Sequence, residues 1–290
     1  MTEQQGLILT GLDGSNPLAF LAALGTLRTL THALPDQEVR MRWVQHAGAW
    51  RPEISAAVSI EDTGLLGTLQ ETLAVAPAEH PLYRVLTSEQ ENSAWTGTDS
   101  YWFTALASDI ATEATSQLQT VRRDYFVGNV KSIIEATTRE HLVRSLFKPW
   151  DYADALDNQS LHFDPSEDRR HAYQWAKPSG DPARKREGGM LGANRLAMEA
   201  WPLFQAVARG DRLQTRGFRG TRANNTRWTW PIWSAPISEQ LVASVLALET
   251  LQSDALDGEE LHSQGIAAAY RCKRILVGKT PNFTPAKAIR

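Results

Sequence analysis

Apolar side chains recur at Leu18, Leu21, Leu24 and Leu27, close to the repeat that places residues on one face of a helix. Asn16 stands before them as an N-cap acceptor, and Pro17 occupies the first turn, where a missing N–H costs nothing. This pattern predicts a helix running to about His32, preceded by a short strand over Gly6–Leu12 (GLILTGL) and a turn at Asp13–Asn16. From Val39 to Val44 the pattern changes to period two: Val39, Met41 and Trp43 alternate with Arg40 and Arg42, as in a half-buried strand. Further helices are predicted at about 61–76, 101–119, 128–147, 193–208 and 238–252, with short strands near 212–217, 226–233 and 273–277. The segment 177–189, KPSGDPARKREGG, contains two prolines, three glycines and a basic run, so it reads as a loop. Together these elements predict an α+β fold of mixed helices and short antiparallel sheets. The organisation is an N-terminal portion 1–176, a basic loop 177–189 and a C-terminal portion 190–290, or one continuous domain through all three.

A length of 290 residues, 42% hydrophobic and 22% charged, is enough for a large core and excludes a disulfide-stapled miniprotein, a collagen-like chain and global disorder. The single cysteine, Cys272, forms no internal disulfide and no multi-thiolate metal cage. The opening MTEQQGLILTGLDGSN lacks the basic and apolar regions of a secretory leader, and no apolar run is long enough to span a bilayer, so a cytoplasmic protein without membrane contact is expected.

Net charge is −3, but it is unevenly distributed. Residues 1–163 carry 11 Lys and Arg against 20 Asp and Glu, whereas residues 164–290 carry 19 against 13. Within the second part, 209–230 holds six arginines against the lone acid Asp211, and 271–290 holds six basic residues and no acid. Such asymmetry fits a polyanion-facing surface, or charge balance between two halves of one fold.

Catalytic constellations are absent from the sequence. The seven histidines form no HExxH, there is no GxSxG elbow or GxxxxGK[ST] phosphate loop, and Gly188, Gly189 and Gly192 follow a basic loop instead of a strand. Asp164 and Asp168 adjoin Arg169 and Arg170, which makes local ion pairs the simpler reading of that pair. The chain is therefore read as a protein without catalysis, cofactor or metal. The enzymatic alternative is a metal-independent ribonuclease in which His171, Tyr173 and Lys177 of RRHAYQWAK act as base and phosphorane-stabilising cation.

Binding chemistry concentrates in Arg209–Trp233, RGDRLQTRGFRGTRANNTRWTWPIW. Arg216, Arg219, Arg222, Asn224, Asn225 and Arg227 crowd a glycine-punctuated turn between two strands, where guanidinium forks match phosphate oxygens and asparagine amides match bases or backbone. A second group is Arg184, Lys185 and Arg186 in the basic loop, with Asn194 and Arg195 at a helix start, where free amides favour phosphate. Trp228, Trp230 and Ile232 share one side of their strand and are assigned to the core. On the helix over 128–147, Glu135 and Glu140 lie four residues before Arg139 and Arg144, which predicts intrahelical pairs.

Four stretches, NPLAFLAALGTLRTL (Asn16–Leu30), LHFDPSEDRRHAYQW (Leu161–Trp175), GANRLAMEAWPLF (Gly192–Phe204) and RGTRANNTRWTWPIWSAPIS (Arg219–Ser238), resemble the large-subunit family of type I CRISPR effector complexes of the U/G subtype and its related accessory subunits. The resemblance implies an irregular large-subunit-like architecture and a place in a Cascade assembly, as a compact large subunit or an accessory one. The implied partners are guide RNA, target double-stranded DNA, other Cascade protein subunits and a recruited helicase-nuclease. Base pairing then supplies sequence specificity, while protein holds the backbone and helps to open the duplex. A scaffold subunit that touches only protein is the remaining alternative.

Overall fold

Asn16 caps helix α1 (Pro17–Ala33) as the sequence requires, its Oδ1 accepting from Leu18 N at 2.8 Å and Ala19 N at 3.2 Å. The computed structural model describes residues 6–58, 61–88, 97–108, 114–121, 123–155, 158–165, 188–220, 226–277 and 280–289, and its fold is α+β. Every residue of α1 from Pro17 to Leu30 is buried, so α1 is a central helix and not an amphipathic surface one. Helix α7 (Leu191–Glu199) lies across it, itself buried along its whole length. Gly25 makes this crossing close: a Cβ at that position would lie 1.8 Å from the Leu196 carbonyl oxygen.

Two antiparallel sheets enclose α1. The first has the order β1-β3-β2, from β1 (Leu7–Ile8), β2 (Arg40–His46) and β3 (Ala49–Ser55). Its hairpin turns at Ala47 and Gly48, both with positive φ (50° and 79°), the geometry of a type I′ turn. The second has the order β10-β8-β7-β6, with β9 continuing along the end of β8. Its strands are β6 (Phe218–Arg219), β7 (Arg227–Trp233), β8 (Ile266–Val277), β9 (Thr280–Phe283) and β10 (Lys287–Ile289). Pro231 is tolerated inside β7 because its nitrogen, which carries no hydrogen, faces the same side as the Thr229 N–H that meets Gly217 O at 3.1 Å, and β6 has ended by residue 231. A backbone bridge between Met41 and Ile237, with N···O distances of 2.9 and 3.0 Å, ties β2 of the first sheet to the segment that leaves β7 of the second.

Trp228, Trp230 and Ile232 all face the core with no exposed surface, as their alternation predicts. The same hydrophobic cluster runs without a break from Leu9 through α1 and α7 to Phe283.

Elsewhere tertiary contacts overrule local periodicity. The helix expected over 101–119 is α4 (Gly97–Leu106) only. Residues 114–121 are irregular, since Gln117 is held by the hairpin of β4 (Ala206–Arg209) and β5 (Arg212–Thr215): its Nε2 donates to Leu213 O at 3.0 Å, and its Oε1 accepts from Thr215 N at 2.7 Å. The helix expected over 128–147 is two, α5 (Arg123–Ala136) and α6 (Arg139–Phe147), because Thr138 breaks the run and caps α6 together with His141. The break removes the predicted Glu135–Arg139 pair; Lys131 meets Glu135 instead at 3.8 Å, and Arg144 is taken by Asp151 and Asp154. The helix expected over 193–208 stops at Glu199; a single 3-10 turn at Trp201–Leu203 carrying Pro202 leads into β4. Helix α8 (Glu239–Leu246) is likewise shorter than the expected 238–252, giving way to a 3-10 turn at Glu249–Gln252. The remaining helices are α2 (Asp62–Leu73), α3 (Pro81–Thr87) and α9 (Gly258–Ser263).

Replacing Gly25 by Ala forces α1 and α7 apart, and overpacking of this kind costs about 1–3 kcal/mol. Urea unfolding of Gly25→Ala is expected to show that loss, against a Gly67→Ala that gains about 0.5–1 kcal/mol, since Gly67 lies inside α2 and its added Cβ meets nothing within 4 Å.

Candidate nucleic-acid interface

The outer face of the second sheet gathers cations from distant parts of the chain. The register places Arg219 opposite Arg227 and Arg227 opposite Lys273, a row across β6, β7 and β8. One step along the strands, Thr229 stands opposite Arg271 and Arg271 opposite Lys287, a second row across β7, β8 and β10. Directly opposed residues point to the same face, and alternation places Trp228 and Cys272 on the other, which is the core side. The 2.8 Å bond from Arg271 Nε to Thr229 Oγ1 follows from that shared orientation. Neighbouring strands lie about 4.8 Å apart and alternate residues of one strand about 6.8 Å apart, so the five cations form a compact lattice.

One edge of this lattice is covered by the turn Glu249–Gln252 and the residues after it. Arg219 and Arg227 both donate to Gln252 O, and Arg271 Nη2 donates to Leu251 O at 3.0 Å and Ser253 O at 2.7 Å. Among the described residues a single carboxylate pairs with the lattice: Asp254, 76% exposed, bonded to the Arg227 guanidinium, which holds its carboxyl below the usual range. Burial, with the neighbouring Arg227 charge, pushes the Arg271 guanidinium down. Lys273 and Lys287 are exposed and form no ion pair among the described residues.

The sequence candidates divide sharply. Arg219 and Arg227 belong to the lattice. Arg216 does not: it is half-buried, with Nη1 on Leu203 O at 2.7 Å and Nη2 on Gln205 Oε1 at 3.3 Å, and burial lowers its pKa. Asn194 and Arg195 are corrected outright, because both lie in the core with 0% and 1% exposure and reach no external phosphate. Asn194 Oδ1 accepts from Leu161 N at 2.8 Å, and Arg195 pairs with Glu199 one helical turn on. Arg222, Asn224, Asn225, Arg184, Lys185 and Arg186 lie outside the described residues, as do His171, Tyr173 and Lys177 of the ribonuclease alternative. Sequence reading missed Arg271, Lys273 and Lys287 as site residues; the acid-free stretch 271–290 signalled them, but only strand register joins them to Arg219 and Arg227.

The arginine removed from the interface belongs to a buried charge cluster that joins four helices. Glu199 accepts from Arg195 of its own helix and from His80 Nε2 at 2.9 Å, with Arg28 of α1 at 3.5 Å; Arg28 also reaches Glu239 of α8 at 3.5 Å and stacks over Trp102 of α4 at 5.2 Å. Burial pushes the Glu199 carboxyl up, but Arg195 and His80 outweigh it and hold the group ionised. His80 is pulled down by burial, partly offset by Glu199. The backbone agrees: Leu82 N donates to His80 Nδ1 at 3.2 Å, so Nδ1 is unprotonated and the neutral ring donates from Nε2.

No protein-family model matches the sequence, and no curated protein matches it either.

The cluster gives stability a defined pH dependence. His80 titrates near pH 6.5 in the unfolded chain but resists protonation when folded, so its contribution is complete above pH 6.5 and is lost as pH falls below it. The unfolding free energy is expected to fall by up to about 1.4 kcal/mol per pH unit in that window, with Glu199 adding to the loss below about pH 4.5. Urea titrations of His80→Gln at pH 7 and pH 5.5 are expected to show a smaller difference than the parent protein; an equal difference sinks the assignment.

Proposed function

We propose that the chain is a non-catalytic nucleic-acid-binding subunit of a CRISPR RNA-guided Cascade complex, which helps to recognise and open target double-stranded DNA alongside guide RNA and other protein subunits while a helicase-nuclease cuts. The observation that carries the nucleic-acid reading is the register of the cation lattice. Like charges placed directly opposite one another destabilise a sheet, and a sheet selected for stability alone puts opposite charges or neutral pairs in those positions. Three successive strands instead align Arg219, Arg227 and Lys273, and the next row adds Arg271 and Lys287. An external polyanion resolves that repulsion.

On this face Lys273 and Lys287 are exposed while Thr229 and Pro231 are buried, and among the described residues no aromatic side chain of β6, β7 or β8 stands beside the cations, so the contacts it supports are to phosphates and not to bases. Recognition on this face follows backbone shape and charge, the role that the resemblance assigns to protein subunits around a guide–target pairing. The particular assembly rests on the resemblance of the four sequence stretches described above.

Lys273 and Lys287 are the cleanest probes, since the arginines also hold the turn at 251–254 in place. In the double variant Lys273→Ala, Lys287→Ala, the plot of log affinity against log salt for duplex DNA is expected to flatten by about 1.8, with the melting temperature unchanged. An unchanged slope, measured by fluorescence anisotropy between low and physiological salt, refutes the interface.

Asp254 provides a test with the opposite sign. Its carboxylate occupies the place of a phosphate on Arg227, so Asp254→Asn is expected to tighten binding several-fold at low salt. Weaker binding by this variant identifies the arginine group as a fastener of the turn and nothing more.

A further inference from the structure

A cleft of about 580 Å³ opens at the start of α1, on the N-terminal half of the molecule, and the outer face of the second sheet contributes nothing to it. Three segments build it: the loop before α1 with Asp13 and Asn16, the tip of the β2–β3 hairpin with His46 and Arg51, and the chain leaving α6 with Trp150 and Tyr152. Asn16 spends its Oδ1 on the helix cap. Two other polar groups on the walls have capacity to spare. Arg51 Nε is buried without a hydrogen-bond partner among the described residues. Asp13 spends Oδ1 on Ser15 N at 2.9 Å and Ser15 Oγ at 2.7 Å, while Oδ2 enters no described hydrogen bond.

The remaining wall is aromatic and held rigidly. Trp150 Nε1 donates to Ser145 O at 3.0 Å and Tyr152 Oη to Asp164 Oδ2 at 2.9 Å, and the two rings stand 6.0 Å apart at 83°. Their polar ends are thus satisfied inside the fold. Ala47 and Tyr152, one on each flank, both hold left-handed backbone (φ 50° and 51°) that non-glycine residues adopt at a cost. A buried orphan donor, a free carboxylate oxygen and a fixed aromatic wall in one cleft call for a ligand carrying an anion, a hydrogen-bond donor edge and a flat ring.

We propose that this cleft binds a single nucleotide, with the phosphate on Arg51, the ring against Trp150 and the base edge turned to Asp13. The carboxylate selects among bases. Cytosine presents its N4 amino group as a donor, whereas uracil and thymine present the O4 carbonyl, which Asp13 repels. The nucleotide comes either free or unstacked from a single strand, and in the second case the inference rests on the nucleic-acid reading above. Neither source uses Lys273 or Lys287, so this site and the cation lattice fail independently.

Isothermal titration calorimetry of the full chain with 5′-CMP and 5′-UMP, and separately with short oligodeoxycytidylate and oligodeoxythymidylate, tests the assignment. The cytosine ligand of at least one pair is expected to bind about ten-fold tighter than its partner. Asp13→Asn, which retains the bonds to Ser15, is expected to abolish that preference, and Arg51→Ala to weaken both ligands about ten-fold with the melting temperature unchanged. A preference seen with mononucleotides identifies a free nucleotide as occupant; one seen only with oligonucleotides identifies a base taken from a strand. Absence of binding at millimolar concentration in both arms overturns the site, as does equal binding of the paired ligands. If duplex DNA still binds with the expected salt slope in that event, the cleft assignment falls and the interface on the second sheet stands.

Discussion

The ring of Phe20 lies 5.7 Å from Trp43 of the first sheet and 5.7 Å from Trp230 of the second, with Trp228 and Trp233 at 6.3 and 6.4 Å. Aromatic pairs in such stacked and edge-on arrangements contribute about 0.5–1.5 kcal/mol each beyond the area they bury. Through them one residue of α1 fixes the position of both sheets. The polar ends of two indoles complete the arrangement: Trp230 Nε1 donates to Gly14 O at 2.8 Å and Trp233 Nε1 to Met41 O at 2.9 Å. Gly14 is required there, since a Cβ would come within 2.9 Å of both Trp43 and Ile232. The loop that caps α1 is therefore anchored by the same cluster that aligns the sheets.

The chemistry of the outer face follows from this core by alternation. Once Trp228 and Trp230 are committed to the core, Arg227 and Thr229 fall on the opposite face of the sheet, and the antiparallel partners on β6, β8 and β10 must follow. A slip of one residue in the pairing of β7 and β8 would bury Lys273 and expose Cys272. The aromatic face sets the register and the register assembles the cations; the two faces of the sheet are one specification.

Identical side-chain types serve opposite purposes in the two charged regions. Arg28 and Arg195 lie in the core around the ionised Glu199, where removal of any partner leaves an uncompensated charge. Arg219, Arg227 and Arg271 bond mainly to backbone carbonyls of a single turn, with the exposed Asp254 as their carboxylate. Carbonyl oxygens satisfy N–H donors without neutralising charge, so this region keeps its positive potential while holding its geometry.

The sequence by itself determined the central helix with its Asn16 cap and Pro17 start, the inward face of Trp228, Trp230 and Ile232, and the α+β class, because each is written in spacing over a few residues. It also marked the second half as the basic one. Only the tertiary structure decided which basic residues meet. Arg195 reads locally as a phosphate ligand at a helix start, yet Glu199 and the Leu73 carbonyl claim it in the core, and Leu73 is more than a hundred residues away. Lys273 and Lys287 read as scattered charges until β8 pairs with β7 and β10. The same limit ended the expected helices at 101–119 and 193–208, where Gln117 is claimed by a distant hairpin and the chain turns after Glu199 to form β4. Periodicity records the face a residue turns to its own element; the partner across a strand or a core is set by chain closure over long separations, which leaves no local signature.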